Sequence, residues 1–105
     1  MSGEQELERA LLLMEFGNLE AAETHLNKAI TASEEEEDDE TLITAMCCMA
    51  DFLYSENRDD EVLAWIEKVM AFADDEELCQ ALPDEFAMAR EFHAELAKTK
   101  GGNPA

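Results

Sequence analysis

Sliding the 105-residue chain on itself by 40 residues brings two stretches of helical pattern into register. No other feature limits the fold as much. Ala10 falls on Ala50, Leu13 on Leu53, Met14 on Tyr54, Leu26 on Ile66 and Ile30 on Met70. The string Leu26-Asn27-Lys28-Ala29-Ile30 recurs as Ile66-Glu67-Lys68-Val69-Met70. Within each copy the apolar residues recur every three or four positions, the period of a helix with one buried face. No stretch alternates with the period of a strand. The spacing therefore predicts an all-α chain of helical hairpins.

Six helical segments can be drawn. They run from about Glu4 to Phe16, Leu19 to Ser33, Thr41 to Glu56, Asp60 to Ala73, Asp75 to Ala81, and from Pro83 or Asp84 to about Lys98. Gly17 suits the left-handed position that ends a helix, and Asn18 the N-cap of the next. Asn57-Arg58-Asp59 turns the chain, with Asp60 as the expected cap of the fourth helix. Leu82 stops the fifth because it precedes Pro83, a residue suited to a first helical turn. Seven consecutive carboxylates, Glu34, Glu35, Glu36, Glu37, Asp38, Asp39 and Glu40, are expected to form the connection between the hairpins at 4–33 and 41–73. Residues 75–98 would cap the pair, and a frayed tail is expected over 101–105.

Charge narrows the function classes. Seven Lys and Arg stand against 27 Asp and Glu, a formal net charge of −20. It is spread unevenly, at −4 over residues 1–33, −7 over 34–40, −8 over 41–82 and −1 over 83–105. Such a chain has no basic footprint for nucleic acid and is repelled by an anionic membrane face. No stretch approaches the 18 or so apolar residues of a membrane span. The N-terminus lacks the basic-then-apolar order of a secretory signal. Cys47, Cys48 and Cys79 are odd in number, and adjacent helical residues do not bridge, so a reducing, cytoplasmic setting is expected. At 47% apolar residues the chain is still expected to bury a core.

The first hairpin resembles a tetratricopeptide repeat. The resemblance lies in Gly17, Leu19, Ala22, Leu26 and Ala29, with Ala10 as the small residue of the first helix. Small residues at those spacings let two helix backbones approach, and Leu26 fills the gap. The second copy keeps Ala50 but has Asn57, Asp59, Val62 and Val69 at the other positions. Glu34 and Asp74 stand where the closing proline of each copy is expected. The resemblance implies hairpins stacked as a short right-handed superhelix, with the last helix as its cap. It also implies a concave face lined by the first helix of each hairpin. Carried over by position, that face holds Glu4, Leu7, Leu11, Met14 and Glu15 from one helix. From the other it holds Thr44, Cys47, Asp51, Tyr54 and Ser55. None of these is Lys, Arg or Asn, which argues against a clamp for a C-terminal carboxylate. Apolar residues among acids suit an apolar segment flanked by Lys or Arg.

Two hairpins fall short of the three or so repeats that usually bury a continuous core. The last two helices, self-association as a homodimer, or a partner protein would make up the difference. Trp65 is either core or part of such a contact. The acidic run is either a solvated loop or extended helix end, or a collar that steers a basic partner. It lacks the alternating ligands and central glycine of a calcium loop. Met46-Cys47-Cys48-Met49 carries four soft ligands, but four consecutive helical residues cannot converge on one ion. His25 and His93 have no metal-ligand spacing. No phosphate loop, nucleophile elbow or paired-cysteine motif is present. No cofactor, metal or enzymatic activity is expected. The sequence points to a small acidic adaptor or chaperone that binds a basic or amphipathic segment of another protein. Small acidic chaperones of bacterial secretion systems, built on the same repeat, are similar in style. An acidic nucleic-acid mimic is the alternative, since dense carboxylates can occupy a DNA-binding cleft; binding would then compete with DNA and collapse with salt.

Overall fold

A computed structural model describes the backbone of residues 2–101 and the side chains of residues 2–98. The chain forms six helices: α1 (Gly3–Glu15), α2 (Leu19–Glu35), α3 (Asp39–Ser55), α4 (Asp59–Met70), α5 (Glu76–Ala81) and α6 (Pro83–Gly101). There is no strand among the described residues. None of these helices is long and apolar enough to cross a membrane. Gly101, expected to begin the tail, instead ends α6, and the rest of that tail, 102–105, lies outside the described residues.

Side-chain caps start most of the helices. The Ser2 hydroxyl accepts from Gln5 N at 3.2 Å while Ser2 N donates back to the Gln5 side chain at 3.0 Å, closing a capping box on α1. Asn18, Asp38 and Asp75 accept from the third residue on at 3.4, 3.2 and 3.1 Å, starting α2, α3 and α5.

The first three turns are copies of one another, 20 residues apart. Gly17, Glu37 and Asn57 all take left-handed φ angles, 79°, 55° and 60°. Asn18 N, Asp38 N and Arg58 N each donate back across the turn, to the carbonyls of Leu13, Ser33 and Leu53, every time at 2.9 Å. That long bond back to a carbonyl near the helix end satisfies an otherwise orphaned acceptor. The 40-residue relation is thus two steps of a 20-residue helix-and-turn unit.

Two expectations are corrected. The seven carboxylates are not all connection: Glu34 and Glu35 end α2, Asp39 and Glu40 open α3, and only Glu36, Glu37 and Asp38 lie between. The run has structural uses, because Asp38 caps α3 and the Glu36 carboxylate accepts from Gly3 N at 3.2 Å, at the α1 N-terminus. The N-cap of α4 is Arg58, without a side-chain cap bond, and α4 begins one residue before Asp60. The turn geometry sets that boundary. The Arg58 side chain instead grips Glu23 through both guanidinium amino groups at 2.9 Å and Glu61 at 2.6 and 2.8 Å.

The first four helices, joined by such short turns, pack antiparallel in chain order, and α6 follows α4 in the packing, with α5 between them in the chain. α3 also touches α1 and α6, whereas the α2 and α4 backbones stay apart. The core follows the 20-residue period. Leu26, Met46, Ile66 and Phe86 succeed one another at that interval and are all at most 3% exposed. Ala10, Ala22 and Ala29 are fully buried, as their size at those spacings requires. Gly3 is a further close approach: a Cβ there would lie 2.2 Å from the Ser33 hydroxyl oxygen.

Candidate functional site

The seam between α3 and α6 holds two adjoining cavities. One, of about 590 Å³, is lined by Asp51, Tyr54, Met88, Glu91, Phe92, Ala94 and Glu95. The other, of about 280 Å³, is lined by Thr44, Cys47, Cys48, Asp51, Asp84, Glu85 and Met88. Asp51 and Met88 are common to both, so the two form one cleft. Its floor is apolar and sulfur-rich. Five carboxylates, Asp51, Asp84, Glu85, Glu91 and Glu95, rim it, and neither lining set contains a Lys or Arg.

Position in the repeat explains the composition. Thr44 and Asp84, Cys48 and Met88, and Asp51 and Glu91 are pairs 40 residues apart, so both walls show the same face of an equivalent helix. Tyr54 and Phe92 meet edge to face across the seam, with ring centroids 5.1 Å apart at 63°. Tyr54 remains 46% exposed, a large ring offered to solvent. The Cys47 thiol donates to the Glu85 carbonyl at 3.8 Å. Burial pushes Cys47 up to about 12 and Cys48 up to about 11, with nearby carboxylates adding to the effect. Both thiols therefore stay protonated at neutral pH, poor nucleophiles and poor metal ligands.

The structure divides the ten residues expected to line a groove, of which Glu4 and Ser55 are exposed and line neither cavity. Thr44, Cys47, Asp51 and Tyr54 come together in the cleft. The α1 set does not join them there. Leu7 is core at 8% exposure, Met14 packs half-buried against the core, and Leu11 and Glu15 are exposed. The opposite wall, with Met88, Glu91, Phe92, Asp84, Glu85 and Glu95, went unrecognised in the sequence. Extending the 40-residue shift once more, from α3 to α6, would have found most of it.

Other candidate groups have local partners. His25 Nδ1 lies 2.9 Å from a carboxylate oxygen of Glu6, which is 7% exposed. That hydrogen bond holds the Glu6 carboxyl below its ordinary range. Lys68 Nζ sits 4.5 Å from the Trp65 ring, and Trp65 itself packs half-buried on the core. No group of three His, Cys, Asp or Glu that could hold a metal occurs among the described residues. In comparisons with known proteins, no family model, curated protein or solved structure matches the chain.

Proposed function

We propose that the protein is a non-enzymatic interaction module, a small tetratricopeptide-like adaptor or chaperone whose α3–α6 cleft holds a basic amphipathic segment of another protein. The observation that carries this reading is the cleft's composition. It has an apolar floor of Tyr54, Met88 and Phe92 and a rim of Asp51, Asp84, Glu85 and Glu91, and no base lines it. A helix with Leu or Met on one stripe and Lys or Arg beside it would bury the stripe and pair its charges. The acidic run supports the same reading, because its last residue, Glu40, lies one turn before Thr44 on α3. Carboxylates at that end of the cleft would speed encounter with a basic chain. The packing of α3 against both α1 and α6 also supports this reading.

Calorimetric titration with an 18-residue Leu/Lys peptide of helical pattern tests this, against a scrambled peptide of equal composition. The patterned peptide should bind more tightly, weaken with salt, and lose affinity at least about tenfold with Tyr54→Glu or Met88→Glu. Equal binding of both peptides would reduce the interaction to net charge. Displacement of the peptide's natural counterpart by DNA would favour the nucleic-acid mimic instead.

A further inference from the structure

The larger cavity of the cleft combines an aromatic pair with carboxylates from both walls. Tyr54 and Phe92 both line it, and their ring planes stand 63° apart. An edge-to-face pair occupies the edge of one ring and one face of the other, so the remaining ring faces are left for other contacts. Tyr54, 46% exposed, keeps much of its surface open to solvent. Asp51 on α3 and Glu91 on α6 line the same cavity, and neither has an ion-pair partner among the described residues. Elsewhere the chain supplies such places with its own cations. Arg58 holds Glu23 and Glu61 through guanidinium bonds of 2.6 to 2.9 Å. Lys68 lies 4.5 Å from the Trp65 ring and Arg90 6.0 Å from the Phe86 ring. No Lys or Arg stands in the lining beside Tyr54 and Phe92.

We infer that this end of the cleft is an arginine subsite, in which a guanidinium of the bound segment stacks on the exposed Tyr54 ring and donates to Asp51 and Glu91. The inference rests on the proposed docking of a basic segment and names the side chain that anchors it. Three kinds of cation suit a negative potential, and the lining separates them. A quaternary ammonium suits an aromatic wall but has no N–H to give the two carboxylates. A lysine ammonium is a compact, strongly hydrated point charge, which gives up water to lie against a ring. A guanidinium is planar and weakly hydrated, with its donors in the plane. One face can lie on a ring while its edge reaches carboxylates on both walls. Arg58 makes the same two-carboxylate grip within this fold. The smaller cavity, lined by Thr44, Cys47 and Cys48 with acids around them, has no aromatic ring. The preference for arginine therefore belongs to one end of the cleft and to one position of the segment.

Calorimetric titration with the Leu/Lys peptide, and with a set in which one Lys at a time is replaced by Arg, tests the subsite. Replacement at one position should tighten binding at least about fivefold, and the other positions should change it little. With Tyr54→Leu the ratio of arginine to lysine affinity at that position should fall to about one, whereas Tyr54→Phe should keep it. Glu91→Gln should reduce the ratio. Equal affinity for every peptide overturns the inference and leaves the docking proposal standing. So does a gain of the same size at every position, or a gain that survives Tyr54→Leu. If no peptide binds, the docking proposal fails and this inference with it.

Discussion

α1 and α3 occupy equivalent places in the repeat, yet one is covered on both flanks and the other on one. Where α3 has Ala45, Met49 and Phe52, α1 has Gln5, Arg9 and Leu12. The backbone unit is the same: each helix ends in a left-handed residue followed by an N-cap bonded back at 2.9 Å. Local turn chemistry therefore sets where the helices begin and end. Neighbours decide which faces must be apolar. A face that no described helix covers tolerates polar residues that would be ruinous beneath one.

Substitutions at matched positions test that contrast. Phe52→Ala should have the largest effect, about 3–5 kcal/mol in chemical denaturation, since the ring is 2% exposed within the core. At the turns, Glu37→Gly should stabilise the fold by about 1 kcal/mol, by relieving a left-handed φ of 55° that Gly17 meets without strain. Gly17→Ala should lose a similar amount, through backbone strain alone, because nothing lies within 4 Å of the added carbon.

A third contrast is between Glu6 and its counterpart Met46. Glu6 is held below its ordinary 4.5 by the His25 hydrogen bond. A carboxyl whose pKa is depressed on folding stabilises the fold above the unfolded value and loses that contribution as pH falls through the folded one. Glu6→Gln should therefore cost stability at pH 6, and the deficit should shrink below about pH 4.5. Parallel acid limbs for the two proteins would mean that the pair contributes nothing. Leu12→Ala should have the smallest effect, within about 0.5 kcal/mol, because the side chain is exposed.

Much of the fold was legible because helix stripes and turn residues are local signals. The stripe holding Leu26 and Ile66, the left-handed Gly17 and the Asn18 cap all read directly from spacing. The bounds of the acidic run were not legible, because seven like charges suit a solvated loop and an extended helix end alike. Asp38 capping α3 and Glu36 meeting the α1 N-terminus show that carboxylates at helix starts are favourable wherever they sit in such a run. Arg58 was overlooked for the opposite reason: besides its neighbour Glu61, three residues on, it holds Glu23 of α2, and a bridge across 35 residues leaves no local pattern. Half of the cleft was visible in α3. The other half, on α6, was hidden because Phe92 reads as core, and only the packing of α6 against α3 turns it towards Tyr54.

The central claim is that the α3–α6 cleft holds a basic amphipathic segment. Its most direct test is amide chemical-shift mapping of the labelled protein during titration with the patterned Leu/Lys peptide. The account predicts saturable changes centred on Asp51, Tyr54, Met88 and Phe92, absent from the Met88→Glu variant. Changes that never saturate, or that centre on Glu34 to Glu40 and leave the cleft still, would contradict it.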